Sequence, residues 1–454
     1  MSELLPIDSV LACPRCSRSP LDAAVDAYHC RDCRATFPLV AGIPWLFAEP
    51  AASLNEWRSR FDLTLKTLER EQQQLSAAAR ASDISDLTRR RLSTLADAKQ
   101  DHAARLQELL EPVSLPTPGT AQDIHLAFRT RLPADQGLMT YAYNVFRDWS
   151  WGHEENERSF EIVREGLQQH SPRRMLVLGA GSGRLAYDLH MRTSSALTAV
   201  FDFNPFLLIL AQRVTRGDTI ELYEFPLAPK GIDQVAVLQK LRAADPAREG
   251  LHFLLGDVLH SPLAAGSFDT VVTPWLVDIL PERFDHLCRR INALLSPGGR
   301  WVNFGSLQFH VADPSLQFTT EECVDKIAAA GFAAPESFDT TLPYLCSPAS
   351  RHGRRENVFC WSTIKREDVA APPVHEAYPA WIVHGDQPVP LLDAFRQLAA
   401  STRVRAYYLS LIDGRRSLRD MARVFVDQNL MSLEEAEAAI RASLMKMYDS
   451  SRRP

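Results

Sequence analysis

No run of about eighteen apolar residues occurs in the 454-residue chain, and its N-terminus has no charged head followed by an apolar core. Neither a membrane-spanning helix nor a secretory leader is therefore expected, and the expected location is the cytoplasm. An excess of basic charge is also missing. Lys and Arg number 50 against 56 Asp and Glu, a formal net charge of −6. The chain as a whole is no electrostatic match for nucleic acid, which only a local basic patch would attract. Cysteines are few: of eight, four stand in two close pairs. That usage suits a reducing compartment and metal binding better than disulfides. The length calls for two or three domains, and 46% hydrophobic residues leave ample core.

Two further absences narrow the reading of the most informative stretch. Met175-Leu176-Val177-Leu178 has strand character and breaks into Gly179-Ala180-Gly181-Ser182-Gly183. Arg184 to Leu189 then has helical spacing, and a second strand, Leu197 to Phe201, ends on Asp202 and Asn204. This is one βαβ unit whose glycine turn lets a ligand approach the backbone. No Gly-Lys-Ser/Thr follows the glycines, so a phosphate cradle is not expected. Arg184 stands where a dinucleotide fingerprint needs its third glycine. The remaining pattern, G-x-G-x-G, is the turn of S-adenosylmethionine enzymes, though glycine turns also occur in other α/β proteins. Asp202 lies 21 residues past Gly181, about where an acid meets ribose hydroxyls.

Downstream, Leu251 to Gly256 is a strand ending at Asp257, an acid suited to an adenine amino group, and Ser267 to Thr273 is a fourth strand. Leu295 to Phe304 reads as a helix end, a Pro-Gly-Gly turn and a fifth strand. Order and spacing suit a doubly wound sheet. Together these segments resemble a class I S-adenosylmethionine-dependent methyltransferase. The resemblance implies a Rossmann-like α/β sheet with cofactor held by Gly179, Gly181, Gly183, Arg184, Asp202, Asn204 and Asp257.

At the N-terminus, Cys13-x2-Cys16 and Cys30-x2-Cys33 are separated by thirteen residues. Four thiolates so spaced make a closed tetrahedral zinc site with no open position for chemistry. Free thiols or a disulfide pair are the plainer alternative. The segment resembles the zinc ribbon of the methyltransferase-activator type. So small a fold has little core of its own, and the metal is expected to supply most of its folding free energy. Ser53 to Leu110 reads as helical, with Leu63, Leu65 and Leu68, then Leu87, Leu92, Leu95 and Leu106, at helical intervals. Cys288, Cys323, Cys346 and Cys360 have no metal spacing and are expected to be buried.

A narrower resemblance lies between residues 140 and 363. Arg147-Asp148-Trp149-Ser150 before an acidic helix, the glycine turn, Leu222-Tyr223-Glu224-Phe225-Pro226 in an insertion, Val277-Asp278, and Trp301 to His310 are similar to the carnosine N-methyltransferase family. Carried over, the resemblance makes Asp278 and His310 the residues that position the acceptor. A carboxylate accepting the N–H of a neutral imidazole would fix its tautomer and enrich the attacking nitrogen. Otherwise Asp278 would cap the helix expected near Pro281, and His310 would be a loop histidine. Trp149, Trp151, Trp275 and Phe309 are candidates for the pocket wall, or for core. The chain departs from the family in two places. Gly305-Ser306 stands where the family has Gly-Pro. Tyr344 matches one late tyrosine, but Arg354-Arg355-Glu356 stands where another belongs.

Residues 366–390 hold five prolines and read as a linker. Beyond it, capping serines at Ser417 and Ser432 open helices. This tail loosely resembles the small winged-helix-type modules similar to PqqD, and a plain packing or dimerisation domain fits as well. The expected plan is a zinc ribbon at 1–50, a helical segment at 51–135, the methyltransferase at 136–365, the linker, and a small helical domain at 391–454. The expected function is N-methyl transfer from S-adenosylmethionine to a small molecule or peptide, with an imidazole in view. Zinc would be structural, and the terminal modules would be free to meet a protein partner. An rRNA or tRNA base methyltransferase and a non-catalytic scaffold are the alternatives.

Overall fold

A computed structural model describes residues 5–114, 137–309, 313–373, 379–383 and 386–452. The chain divides into two compact units, Met1–Pro379 and Ala380–Pro454. The boundary falls inside the proline-rich stretch. Among the described residues no helix is long and apolar enough to cross a membrane.

The first unit is organised by an eleven-stranded sheet. Strands β1 (Asp22–Ala23), β2 (Ala27–His29), β3 (Thr36–Val40) and β4 (Ile43–Leu46) form an antiparallel ribbon. The central strands are β5 (Arg174–Leu178), β6 (Leu197–Asp202), β9 (Leu251–Gly256), β10 (Phe268–Pro274) and β11 (Leu295–Gly305). They lie parallel in the order β9-β6-β5-β10-β11. The sheet closes antiparallel with β13 (Arg354–Ile364) and then β12 (Glu336–Tyr344). β7 (Ile220–Glu224) and β8 (Val237–Leu241) form a separate hairpin. Every residue of β6 is buried, as are Met175 to Leu178 of β5, because helices cover both faces of this parallel core. The expected doubly wound sheet is what the chain forms.

On one face lie α1 (Pro50–Ala79), α2 (Asp86–Leu109), α4 (His153–Leu167), α5 (Arg184–Arg192) and α6 (Pro205–Thr215), with the short α3 (Ala142–Phe146) beside them. On the other lie α7 (Phe284–Leu294) and α8 (Thr320–Ala329). The hairpin α1–α2 is turned otherwise than leucine spacing predicts. Leu63 and Leu87 are exposed, whereas Trp57, Phe61, Leu68 and Leu106 are buried. Aromatics set the buried stripe, since they remove the most apolar area per residue.

The ribbon also differs from expectation. β4 pairs in parallel with β9, Trp45 opposite Leu255 and Leu46 opposite Gly256. Ala12 N donates to Pro262 O, and Ala264 N to Val10 O, both at 2.8 Å. Val10, Leu11, Leu21 and Phe37 share one core with Leu254, Val258 and Leu263. The ribbon therefore does not rest on metal for want of a core; it borrows the core of the sheet.

The second unit contains α9 (Asp393–Ser410), α10 (Leu418–Asp427) and α11 (Leu433–Arg452) around Tyr408, Met421, Phe425 and Ile440. Ser417 and Ser432 take the expected capping positions. No strand occurs among the described residues of this unit, so the wing of a winged helix is missing there. Cys346 is exposed, unlike the buried Cys288, Cys323 and Cys360, because it follows β12 into a loop rather than lying under a helix.

Trp45 is fully buried, and its Nε1 donates to Ser53 Oγ at 2.7 Å. Trp45→Ala is expected to lower the stability of the first unit by about 3–5 kcal/mol, read as the shift in its urea unfolding midpoint.

Candidate active site

A cavity of about 310 Å³ opens at the carboxyl ends of β5, β6, β9, β10 and β11, beside the place where strand order reverses. That is where open α/β sheets bind ligands. The glycine turn makes its floor. Gly179 and Ala180 donate their N–H groups to Phe201 O, each at 3.0 Å. Gly179 has φ +70°, and a Cβ there would lie 2.6 Å from Leu276 Cδ1. Gly181 has φ +57° and nothing within 4 Å of an added Cβ, so its backbone faces open space. Gly183 packs instead against Ala211, Phe253 and Val200.

Asp202 is clasped to this turn. Its Oδ2 accepts from Gly181 N at 2.8 Å and its Oδ1 from Asn204 N at 3.0 Å. Burial pushes its carboxyl up to about 6, against the downward pull of the N–H groups of Asn204, Gly181 and Phe203. Asp257, at the end of β9, caps the short turn Val258–His260. It accepts from Leu259 N at 2.9 Å and lies 3.1 Å from His260 Nδ1.

The turn is braced from behind by a single π-helical turn, Arg147–Trp151, a rare geometry that is frequent at functional sites. Ser182 Oγ donates to Asp148 Oδ2, and Trp149 Nε1 donates to Ser182 O at 2.9 Å. Arg147 lies on the cavity wall with its charge matched by Asp148 at 2.6 Å and Glu155 at 2.8 Å. Glu155, almost fully buried, also accepts from Leu345 N at 2.8 Å. One carboxylate thus ties the wall cation to the corner after β12.

Across the cavity stands Asp278. Its Oδ2 accepts from Ser306 Oγ at 2.9 Å and Gln308 N at 2.7 Å. It does not cap a helix, since α7 starts at Phe284 with Arg283 before it. Trp275, with φ +53°, turns beside it and meets Tyr344 edge to face at 5.1 Å.

Of the residues singled out from sequence, Gly179, Gly181, Asp202, Asp257 and Asp278 line one cavity. Gly183, Arg184 and Asn204 are not among its lining residues. Arg184 is spent on Asp188 at 2.8 Å and Asp148 O at 2.7 Å. Asn204 caps α6 through Phe206 N and reaches Leu138 O. Both hold the walls. His310 lies outside the described residues. Trp275 lines the cavity, whereas Trp149 braces the turn, Trp151 bonds Glu224 and Phe309 packs on Phe284 and Phe318. Arg147, Ser306, Gln308, Arg354 and Glu356 were not singled out as site residues; only their nearness to quoted motifs hinted at them. In the ribbon, Cys13, Cys16, Cys30 and Cys33 bring their sulfurs within 4.8 Å of one another. Two pairs stand 3.5 Å apart. A tetrahedron with bonds of about 2.3 Å has edges of about 3.8 Å, so the set fits a metal ion.

Glu155→Ala would leave the buried Arg147 charge short of a partner and Leu345 N without its carboxylate. A loss of about 3–5 kcal/mol is expected, with a smaller loss for Glu155→Gln, measured by urea unfolding.

The family model described as carnosine N-methyltransferase matches residues 136–366, half of the chain. Carnosine N-methyltransferase unmet of Drosophila melanogaster is 27% identical over 217 residues, covering 42% of this chain and 47% of that protein. The carnosine N-methyltransferase of Dictyostelium discoideum is 26% identical over 196 residues, covering 37% and 41%. The chain thus matches less than half the length of each of these curated relatives. Among solved structures, the N-methyltransferase NodS of Bradyrhizobium japonicum WM9, in complex with S-adenosyl-L-homocysteine, is 15% identical. It covers 47% of this chain and 89% of that one, with a TM-score of 0.31. On the match over residues 136–366, which carry the central parallel strands and the cavity, the chain belongs to the carnosine N-methyltransferase family.

Proposed function

We propose that this chain is an S-adenosylmethionine-dependent N-methyltransferase whose acceptor is a nitrogen of a small molecule or peptide, an imidazole above all. One observation carries the reading. A single cavity holds, on one side, a glycine turn clasped by a buried acid and, on the other, a second acid fixed by two donors. When bound, S-adenosylmethionine supplies an electrophilic methyl group on a sulfonium sulfur. Gly179, Gly181, Asp202 and Asp257 would hold its adenosyl part, and Arg147 would offer a cation to its carboxylate.

Asp278 does the acceptor's share. Oδ2 is engaged by Ser306 and Gln308, which leaves Oδ1 to accept an N–H from the acceptor. That bond orients the other nitrogen's lone pair along the line of displacement and keeps it unprotonated. After transfer the ring is cationic, and the N–H proton leaves toward the same carboxylate. His310 joins Asp278 in this role on the strength of its position in the sequence motif. In the ribbon, zinc on Cys13, Cys16, Cys30 and Cys33 would be structural, because a closed set of four thiolates leaves no position for a reactant. The domain limits proposed from sequence, 1–50, 51–135, 136–365, 366–390 and 391–454, carry over with the ribbon tied to the sheet edge. A cytoplasmic location completes the reading.

The test is incubation with methyl-labelled cofactor and a panel of histidine-containing peptides and small imidazoles. Asp278→Ala is expected to lower turnover by about 100-fold or more, with S-adenosylhomocysteine affinity within a factor of about two. A large loss of cofactor affinity would remove Asp278 from the acceptor role.

Asp202 sets a pH dependence. Ribose hydroxyls donate best to an ionised carboxylate, so cofactor affinity is expected to fall as pH drops through about 6, by up to about tenfold per unit. Calorimetric titration of S-adenosylhomocysteine at pH 5 and pH 7.5 measures it, and Asp202→Asn should flatten the difference. Folding runs the opposite way. A carboxyl raised in the native state stabilises the fold below its unfolded pKa and loses that contribution as pH rises through about 6. Cofactor binding is therefore expected to add most to stability at neutral pH, where its affinity is highest.

A further inference from the structure

We infer that Arg354 reads a carboxylate on the acceptor, so that the substrates are nitrogen nucleophiles bearing an acid group. The inference rests on the methyl-transfer reading and adds the class of acceptor. Tyr344 and Arg354 are cross-strand partners at the end of the β12–β13 hairpin, and both line the cavity with Glu356. The Arg354 guanidinium lies over the Tyr344 ring, 4.6 Å from its centroid, and Tyr344 is itself held against Trp275 at 5.1 Å. Glu356 takes the Nε edge of Arg354 in an ion pair.

A stacked plane with one edge tied is an oriented fork. Among the described residues no protein acceptor meets its Nη1 or Nη2, and two parallel N–H donors are the partner that a planar carboxylate fits. The other cation of the wall is differently employed. Arg147 is matched by Asp148 and Glu155 and braced to the glycine turn through Asp148 and Ser182, which assigns it to the cofactor side. The acceptor side then presents two complementary features. Asp278 keeps one oxygen for an N–H, and Arg354 keeps two amines for an anion. A neutral or purely cationic acceptor would leave the fork unused.

The magnitude is bounded by exposure. The Arg354 side chain is 58% exposed, and ion pairs in contact with water are weak. A five- to tenfold preference, roughly, is therefore expected rather than an absolute requirement. The test is calorimetric binding of 3-(imidazol-4-yl)propanoate and of its primary amide to the full chain saturated with S-adenosylhomocysteine. The acid should bind about five- to tenfold tighter than the amide. Arg354→Gln should bring the two within about twofold, and Arg354→Lys should keep part of the gap, since a point charge replaces the fork. Equal binding of acid and amide, absence of binding by both, or a preference that survives Arg354→Gln would overturn the inference while S-adenosylhomocysteine still binds. Failure of S-adenosylhomocysteine to bind would bring down the methyl-transfer reading and this inference together.

Discussion

The site depends on a carboxylate that the fold keeps in an unfavourable place. Asp202 ends a strand buried on both faces, where ionisation is opposed by desolvation. What makes the position tenable is the glycine turn itself, which aims the N–H of Gly181 at one oxygen, while the chain entering α6 aims that of Asn204 at the other. The acid shapes the turn, and the turn stabilises the acid. A group so placed is fixed in position by the backbone alone, which is the preorganisation a binding site needs.

Around that pair the protein builds supports of the same kind. The π-helical turn Arg147–Trp151 fastens the glycine turn from behind through Ser182, and Glu155 fastens the π-helical turn to the corner after β12. Floor and far wall are thereby linked by buried, charge-assisted hydrogen bonds, which are short and directional. Asp278 receives matching treatment from Ser306 and Gln308. Of the cavity's acids, Asp202 and Asp257 thus have both oxygens engaged, whereas protein donors meet only Oδ2 of Asp278.

The ribbon shows how a small module gains stability from a large one. Its four sulfurs converge, yet its apolar residues do not form a core apart from the sheet. Pairing β4 with β9 extends the parallel sheet at its exposed edge, covering a row of backbone groups that would otherwise invite association. The sheet edge thereby takes on the task of holding the ribbon in place.

The central strands, the glycine turn and the cysteine set were legible in the sequence because each rests on local pattern. Apolar runs between turn residues mark buried strands, three glycines mark a backbone bend, and C-x2-C spacing follows from tetrahedral coordination. So too was the presence of Asp202 and Asp257 at strand ends and of Asp278 in the turn after the fourth central strand. What each side chain does with its atoms was not legible. Arg184 and Asn204 sit in the motif but spend their donors on the walls, while Arg147, Glu155 and Arg354 reach the cavity region from segments that local spacing does not single out. Leu63 and Leu87 kept the right interval and still faced water, since neighbouring aromatics claimed the buried stripe. Spacing along a chain determines which residues share a face. Which of them meet across strands is decided only when the sheet brings distant segments within hydrogen-bond reach, because side-chain bonds act over about 3 Å in space whatever their separation in sequence.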